Sequence, residues 1–471
     1  MKRALIAIAA ALTATATLPA TAQEVPANPP PIGTPKPFSL PANETYSLPN
    51  GMEVTFVPFG NTPKAVVALR VFAGNLNEAD DTWLADLTGD MLKEGAGGMS
   101  AEQIATRAAG MGGDLNVSVS PQQTYVAMNV LSEDAADAVK LIGDVTLRPD
   151  FPADQFDRVK ANWQRRLAQA LSRAQSLADA ALARAYYGNH PYGHTFPTQE
   201  QLAGYTLDQA KAFYDANYGA ERAHIYVGGQ FDRDAVKAAI AKTFGDWKAG
   251  PDRLSLPATP NPGPQVILVD RPGAPQSTIR LAFPAAKAGA QGDIPLRVAN
   301  ALLGGSFSSR ITKNIREDKG YTYSPRSSIT HHPGDAMWEF DADVTTASTG
   351  PALHEVFSEI RKMQGTAPSD QEAQGMRNYL SGLFVIQNST ASSVLSSLAS
   401  VDTLNLPENW LDNYVPSVLA VTPQQMSDAI KTTVPLDKMT LVVVGDLKTV
   451  EPQLKALPEL KGMDFKTVTI P

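Results

Sequence analysis

The chain has 471 residues, enough for roughly two to four domains, and its hydrophobic fraction of 43% excludes a disordered or fibrous protein. Its 48 acidic and 40 basic residues give a formal net charge of −8, so the composition provides no basic surplus for nucleic acid. Cysteine is absent and histidine occurs six times, which excludes disulfides, thiol catalysis and cysteine-ligated metals and leaves few histidines for a metal site.

The beginning of the chain has the pattern of a secretory signal peptide, residues 1–22. Two basic residues precede an Ala/Ile/Leu-rich stretch that is too short to span a membrane, and an A-x-A motif ends at Ala22. We therefore expect cleavage after Ala22, a mature chain that starts at Gln23, and export to a bacterial periplasm. No cysteine follows this site and no later apolar run reaches 18 residues, so the sequence predicts no membrane anchor.

Two proline-rich stretches divide the mature chain. Residues 23–41 are predicted to form an extended N-terminal arm, and residues 250–264 are predicted to form a linker near the middle of the chain. The segments that follow them, 42–249 and 265–471, are each about 210 residues long, which is an ordinary domain size. We therefore expect two domains of similar length.

The two halves end in the same way. In the first half, Thr206 opens a helical pattern that leads to a β-rich run ending at Gly228. In the second half, Thr422 opens the same pattern and the β-rich run ends at Gly445. The separations are 22 and 23 residues, so we interpret the halves as products of a duplication.

The predicted elements place short strands before long helices. Strands are predicted at 52–59, 66–73 and 115–130, and helices at 83–93, 101–111 and 154–187. The first two strands are expected to form a hairpin introduced by the turn at 48–51. This order favours an α+β fold with mainly antiparallel sheets packed by helices. The chain has no G-x-G-x-x-G, P-loop or G-x-S-x-G motif, which argues against nucleotide binding and serine hydrolysis.

Several short motifs occur in order along the chain: Leu48-Pro49-Asn50-Gly51, 74–78, 85–95, His190-Pro191-Tyr192-Gly193 and 303–323. Together they resemble the pitrilysin/insulinase family of zinc peptidases, in particular two-domain members such as the mitochondrial processing peptidase subunits. The resemblance covers about residues 40–471. It implies two homologous domains that form one half of a clamshell-shaped dimer.

The catalytic motif of that family is degenerate in this chain. The family's inverted motif H-x-x-E-H supplies two zinc ligands and a catalytic glutamate, and a distal glutamate is the third ligand. The resemblance aligns the motif with Asp86, Gly89 and Asp90, and the distal glutamate with Arg166. All four positions have changed, so we expect no metal or other cofactor in this chain and no peptidase activity from the chain alone.

Two interpretations of Arg166 remain open. Its guanidinium could bridge Asp86 and Asp90 and replace zinc structurally, because an arginine fork matches carboxylate geometry. Alternatively, the two aspartates lie on a solvated helix face where Lys93 is the local partner of Asp90, since exposed ion pairs contribute little.

The second half contains a further pair with functional potential. The resemblance implies that Arg316 and Tyr323 project from the C-terminal domain toward a zinc-bound substrate, where a cation and a phenolic O–H could hold a peptide carbonyl. It also implies that Gly304 and Gly305 belong to a loop that helps admit substrate. The alternative is an ordinary turn, a helix-terminal arginine and a half-buried strand tyrosine.

These observations predict the non-catalytic subunit of a heterodimeric periplasmic zinc metallopeptidase. A homologous partner subunit is expected to bear the zinc and to cleave unfolded peptides, while Arg316 and Tyr323 contact the substrate in trans. A second hypothesis is a purely structural or binding subunit, like the core proteins of respiratory complex III. A third, an independent enzyme with an unrecognised metal site, is disfavoured by the missing motif.

Overall fold

Two six-stranded sheets, one from each half of the chain, organise the fold. The computed structural model describes residues 39–261 and 263–470. The predicted signal peptide (1–22) and nearly all of the predicted proline-rich arm (23–41) lie outside the described residues. In the part that is described, no helix is both long and apolar enough to cross a membrane.

The first sheet contains six of the first eight strands. These strands are β1 (Glu44–Ser47), β2 (Glu53–Pro58), β3 (Lys64–Val71), β4 (Gly95–Ala96), β5 (Met99–Ser100), β6 (Leu115–Val119), β7 (Thr124–Leu131) and β8 (Ala223–Gly229). The strand order is β1-β2-β8-β3-β7-β6, while β4 and β5 form a separate small ladder. Only the β2–β8 pair is parallel within the larger sheet.

The described part of the first half also contains eight α-helices. They are α1 (Leu84–Leu92), α2 (Ala101–Gly110), α3 (Ala135–Leu147), α4 (Ala153–Ser172), α5 (Ala174–Tyr187), α6 (Gln199–Gly204), α7 (Leu207–Asn217) and α8 (Arg233–Phe244). One large core joins the sheet to α1, α3, α4, α7 and α8. The helix predicted over 154–187 is interrupted at Arg173, whose backbone is extended, so that α5 leaves the direction of α4.

The second half repeats this design. Its strands are β9 (Gln265–Asp270), β10 (Gln276–Pro284), β11 (Arg326–His332), β12 (Asp335–Thr345), β13 (Thr440–Gly445) and β14 (Phe465–Thr467), in the order β11-β12-β10-β13-β9-β14. Its helices are α9 (Asp293–Asn300), α10 (Thr349–Gly365), α11 (Asp370–Gln387), α12 (Ala391–Thr403), α13 (Trp410–Ala420), α14 (Pro423–Thr433) and α15 (Leu447–Lys455), with π-helical turns at Ala301–Gly305 and Thr312–Asp318.

The two sheets have equivalent connectivity. The order β6-β7-β3-β8-β2 in the first sheet matches β11-β12-β10-β13-β9 in the second, and the last pair of each series, β8–β2 and β13–β9, is parallel. This agreement supports the duplication that the sequence predicted and confirms the α+β fold. In the sequence, all strands of the first sheet precede the 250–264 segment and all strands of the second sheet follow it. The exact domain boundaries remain a prediction.

The predicted hairpin of β2 and β3 is wrong. Strand β8 lies between them, parallel to β2 and antiparallel to β3, and every residue of β8 is buried. A strand that is apolar on both faces is most stable in the middle of a sheet, which local patterning of β2 and β3 does not reveal. The turn at 48–51 instead joins β1 to β2.

Each half contributes one helix to the other half's sheet. Helix α5 packs Ala178, Ala181 and Leu182 against residues of the second sheet such as Ile267 and Val442. Helix α12 returns from the second half and packs on the first sheet; its contacts are Val394, Leu395 and Ala399 against Val57, Val66, Ala68 and Tyr226. This reciprocal exchange buries apolar surface at both crossings and holds the halves together.

Candidate functional site

The predicted zinc position lies on α1, and a buried carboxylate holds the start of that helix. Glu78 accepts hydrogen bonds from the backbone N–H groups of Trp83 at 2.9 Å and Ala85 at 2.8 Å. These donors have no partner within the helix, so Glu78 supplies the acceptors that the first turn lacks. Glu78 therefore fixes the direction of α1.

Asp86 is bound from the loop that precedes α1. Its Oδ2 accepts a hydrogen bond of 2.7 Å from Asn75 Nδ2, which is also 3.3 Å from each carboxylate oxygen of Glu78. Burial raises the pKa of Asp86 to about 6, because the bond from Asn75 offsets only part of the desolvation and Asp90 adds repulsion. One carboxylate oxygen of Asp86 is therefore already bound by Asn75.

Asp90 is surrounded by other donors. It lies 2.8 Å from Lys93 Nζ, accepts a hydrogen bond of 3.0 Å from the indole N–H of Trp163, and lies 3.7 Å from Arg166 Nη1. The guanidinium of Arg166 also lies over the Trp163 ring at 4.4 Å. Among the described residues Arg166 makes no ion pair with Asp86, so the structure favours Lys93 as the local partner of Asp90 over an arginine bridge in place of zinc.

The predicted Arg316–Tyr323 pair is assembled in the second half. The Arg316 guanidinium lies 4.6 Å from the centre of the Tyr323 ring and 4.5 Å from the Phe307 ring, an arrangement that cation–π attraction stabilises. Tyr323 is 78% exposed and Phe307 68% exposed. Arg316 is half-buried, and neither side chain of the pair makes an ion pair or hydrogen bond with another described residue.

Two details of this region differ from the sequence interpretation. Tyr323 is not a half-buried strand residue, because β11 begins only at Arg326 and the preceding segment makes a single bridge at Thr322. Phe307 was not recognised; its only signal was a lone aromatic side chain inside the Gly/Ser-rich segment 304–309.

The Gly304–Gly305 pair sits in tightly packed surroundings. A Cβ on Gly304 would lie 2.5 Å from Ser327 Oγ, and one on Gly305 would lie 2.6 Å from Asn300 Nδ2. Asn300 in turn accepts a hydrogen bond from the Trp338 indole at 2.7 Å. Close packing therefore explains why both positions are glycine; a role in admitting substrate stays a prediction.

A second polar cluster joins the two halves away from the predicted residues. We call Glu53, His224, Arg253 and Asp402 the Arg253 clasp. The two guanidinium ends lie 2.8 Å from Glu53 and 2.7 Å from Asp402, and His224 Nδ1 lies 3.2 Å from Asp402. The ligand atoms of Glu53, His224 and Asp402 lie within 4.8 Å of one another, a donor set that zinc accepts. Arg253 already supplies the compensating cation, so we interpret the cluster as an ion-pair network.

Comparison with known proteins agrees with this architecture. The model of the insulinase family, peptidase family M16, matches residues 59–198, and the model described as the peptidase M16 inactive domain matches residues 204–380. The chain belongs to the M16 family. Together the two models cover most of the chain, and their boundary lies inside the first half, near the start of α7.

The relatives of this M16 chain carry mixed descriptions. An uncharacterized zinc protease, YmxG, of Bacillus subtilis is 22% identical over 81% of this chain and 93% of its own length. A protein described as the non-peptidase homolog YmxG of Helicobacter pylori is 22% identical over 80% of this chain and 87% of its own. The inactive-domain match and the latter description support a non-catalytic member of the family.

Solved structures establish the fold. A peptidase M16 inactive domain from Pseudomonas fluorescens superposes with a TM-score of 0.78 at 24% identity, covering 86% of this chain and 98% of that one. A chain of complex III2 from Candida albicans superposes with a TM-score of 0.73 at 15% identity, covering 87% and 98%. At these identities the likeness concerns the fold alone.

The residues at the M16 zinc position do not fit the metal. Two aspartates replace the imidazoles, and the place of the third ligand is taken by Arg166, a cation that repels a metal. A Cβ on Gly89 would lie 2.6 Å from Val119 Cγ2, so a catalytic glutamate would displace β6 side chains. A general base is missing, and Asp86 and Asp90 are bound by Asn75, Lys93 and Trp163. We therefore assign no step of zinc catalysis to this M16 chain.

Two buried carboxyl groups of this M16 chain give its stability a predictable pH dependence. Glu78 and Glu339 line one cavity of about 370 Å³, and burial raises the pKa of Glu78 to about 8 and of Glu339 to about 7. The folded chain therefore binds more protons than the unfolded chain above about pH 4.5, and stability is expected to fall as the pH rises toward 8.

Glu339→Gln is expected to flatten this dependence by up to ~1.4 kcal/mol per pH unit between pH 5 and 7. Arg280 would keep its other partner, Asp179, at 2.7 Å. Urea unfolding at pH 5, 6, 7 and 8 measures the effect, with the exposed Glu408→Gln as the control. Parallel pH profiles for wild type and Glu339→Gln would contradict the expectation.

Proposed function

We propose that this M16 chain is the non-catalytic subunit of a heterodimeric zinc metallopeptidase that acts on unfolded peptides in the periplasm. The observation that supports this most is the Arg316–Tyr323 pair, with a half-buried arginine and an exposed tyrosine, in a chain whose own metal position does not fit zinc. Polar groups without an ion-pair or hydrogen-bond partner among the described residues contribute little to folding, so contact with another molecule explains their arrangement better.

The chemistry of the pair suits a peptide bound to a metal. The guanidinium can hold a carbonyl oxygen by charge-assisted hydrogen bonds, and the phenolic O–H can donate to the negative charge that develops on that oxygen. Phe307 helps to position the guanidinium, whose central carbon lies 4.5 Å from the centre of its ring. Because the chain lacks a fitting zinc position, these groups would act on substrate held by the zinc-bearing partner subunit.

A structural subunit is the second candidate, supported by the fold likeness to a chain of complex III2. The two candidates make different predictions for the partner's activity. A structural subunit would assemble with its partner without changing peptide turnover, whereas the proposed subunit raises turnover through Arg316 and Tyr323.

Reconstitution tests the proposal. The chain from Gln23 onward is purified alone and together with an M16 homologue that has an intact zinc motif, and zinc content and cleavage of an unstructured peptide are measured. We expect no zinc and no cleavage for the chain alone, and cleavage by the pair above that of the homologue alone. Cleavage by the lone chain, or a pair no faster than the homologue, would contradict the proposal. Fractionation of producing cells tests export.

A further inference from the structure

An open polar pocket of about 280 Å³ lies on the face of the first sheet that α12 covers. Its lining consists of Arg70, Ser118, Ser120, Gln123, Tyr125 and Ser396. Ser118 belongs to β6, an edge strand of the sheet, and Ser396 comes from α12 of the second half. The pocket is therefore built jointly by the two halves, and no aspartate or glutamate lines it.

Arg70 enters this pocket without an anionic partner. Its guanidinium lies 5.0 Å from the Tyr125 ring and 6.0 Å from the Tyr226 ring, and its buried Nε has no hydrogen-bond partner. Among the described residues it makes no ion pair. Burial lowers the pKa of Arg70, and the nearby Tyr125, Tyr226 and Asp402 offset only part of this desolvation. A half-buried guanidinium without an ion pair can therefore still gain from an anion supplied by another molecule.

The carboxylates of Glu53 and Asp402, which lie near Arg70, pair with Arg253. Cross-strand pairing places Tyr125 and His224 on either side of Arg70, and Glu53 next to His224. Within the Arg253 clasp, Glu53 and Asp402 both form ion pairs with Arg253. Asp402 therefore acts on Arg70 only at a distance, and Arg70 makes no ion pair with another described residue.

The other lining groups favour a specific kind of ligand. The side-chain hydroxyls of Ser118, Ser396 and Tyr125 make no hydrogen bond with another described residue and can donate to an oxyanion. Gln123 Oε1 is buried without a partner and requires a donor. A carboxylate accompanied by an amide N–H satisfies both needs, whereas a fully ionised phosphate supplies acceptors alone.

We propose that this pocket binds a peptide carboxylate. Arg70 forms the ion pair, the hydroxyls of Ser118 and Ser396 donate to the same carboxylate, and Gln123 accepts a hydrogen bond from a peptide N–H. The carboxylate comes from the C-terminus of the peptide or from an aspartate or glutamate side chain. The site belongs to this chain alone, so it holds or fails independently of a zinc-bearing partner.

Fluorescence anisotropy of the chain from Gln23 onward tests the proposal with one labelled, unstructured peptide in three forms. The forms carry a free C-terminus, a C-terminal amide, and a C-terminal amide with one internal glutamate. We expect at least one of the two forms that carry the extra carboxylate to bind at least tenfold more tightly than the plain amide, and Arg70→Gln to remove that difference. The form that binds more tightly assigns the source: the free acid identifies the terminus, and the glutamate-containing amide identifies a side-chain carboxylate.

Arg271→Gln is the matched control, because Arg271 is half-buried, lies in the second half and makes no ion pair with another described residue. Equal binding of all three peptide forms by the wild type, or unchanged binding by Arg70→Gln, would overturn the proposal, as would displacement of the peptide by equimolar inorganic phosphate. Gln123→Glu provides a second variant should Arg70→Gln not fold. It places a carboxylate beside Arg70 and is expected to abolish the acid preference; a retained preference would also overturn the proposal.

Discussion

Arg316→Ala is expected to lower the kcat of the reconstituted pair by roughly 10²- to 10³-fold, the usual loss when a group that stabilises an oxyanion is removed. Tyr323→Phe removes one O–H donor and is expected to reduce kcat by about tenfold or more. The effect should fall on kcat, because charge on the carbonyl oxygen grows in the transition state. Steady-state cleavage of an unstructured peptide at several concentrations separates kcat from KM.

Assembly of the pair is expected to survive both substitutions. Arg316 contacts two exposed rings, Phe307 and Tyr323, and neither variant leaves a buried polar group unpaired. Lys313→Ala is the matched control, since Lys313 is an exposed cation on the same π-helical turn. Size-exclusion chromatography reports assembly. Loss of the complex with either variant, or a kcat equal to wild type, would indicate that the pair has a structural role.

Local patterning predicted what depends on local geometry. Asp86 and Asp90, four residues apart, were expected one turn apart on a helix, and both lie on α1. The Thr422 capping pattern was expected to open a helix, and its hydroxyl accepts from Gln425 N–H at the start of α14. Helical periodicity and capping act over a few residues, so the sequence alone suffices for them.

Long-range arrangement was not accessible in the same way. The insertion of β8 between β2 and β3 depends on a strand more than 150 residues away in the chain. The residues of the Arg253 clasp are equally scattered, and none of them belongs to a short motif. Arg70 lies in the strand predicted at 66–73, and only the folded sheet shows that Glu53 and Asp402 are paired with Arg253 and not with Arg70.

Asp402→Ala is expected to destabilise the fold by ~1.5–3 kcal/mol, the usual contribution of hydrogen bonds to a charged group, because the ion pair with Arg253 is only partly buried. The change removes the partner of Arg253 at 2.7 Å and of His224 at 3.2 Å, and it loosens α12 from the first sheet. Bonds from His224 and Arg253 hold the pKa of Asp402 at about 2. Its contribution is thus present above about pH 4 and is lost as the pH falls through 2.

Denaturant unfolding at pH 7 measures this effect. Asp437→Ala, at an exposed aspartate without a partner among the described residues, is expected to change stability by less than about 0.5 kcal/mol. The paired substitution Arg253→Met with Asp402→Leu should recover much of the loss, because the carboxylate then left without Arg253 is Glu53, whose side chain is 38% exposed and stays hydrated. A loss of less than about 1 kcal/mol for Asp402→Ala would show that the clasp contributes little.

Zinc binding by Arg253→Met and Asp402→Ala decides whether the Arg253 clasp is an ion-pair network or a metal site. If Arg253 is the cation that Glu53 and Asp402 require, zinc added to the wild type has no favourable place and should leave the melting temperature unchanged. Removal of Arg253 as Arg253→Met leaves the donor set of Glu53, His224 and Asp402 intact and uncompensated. That variant is expected to gain zinc-dependent stabilisation, and Asp402→Ala is not. Zinc-dependent stabilisation of the wild type would identify a metal site and contradict the role assigned to Arg253.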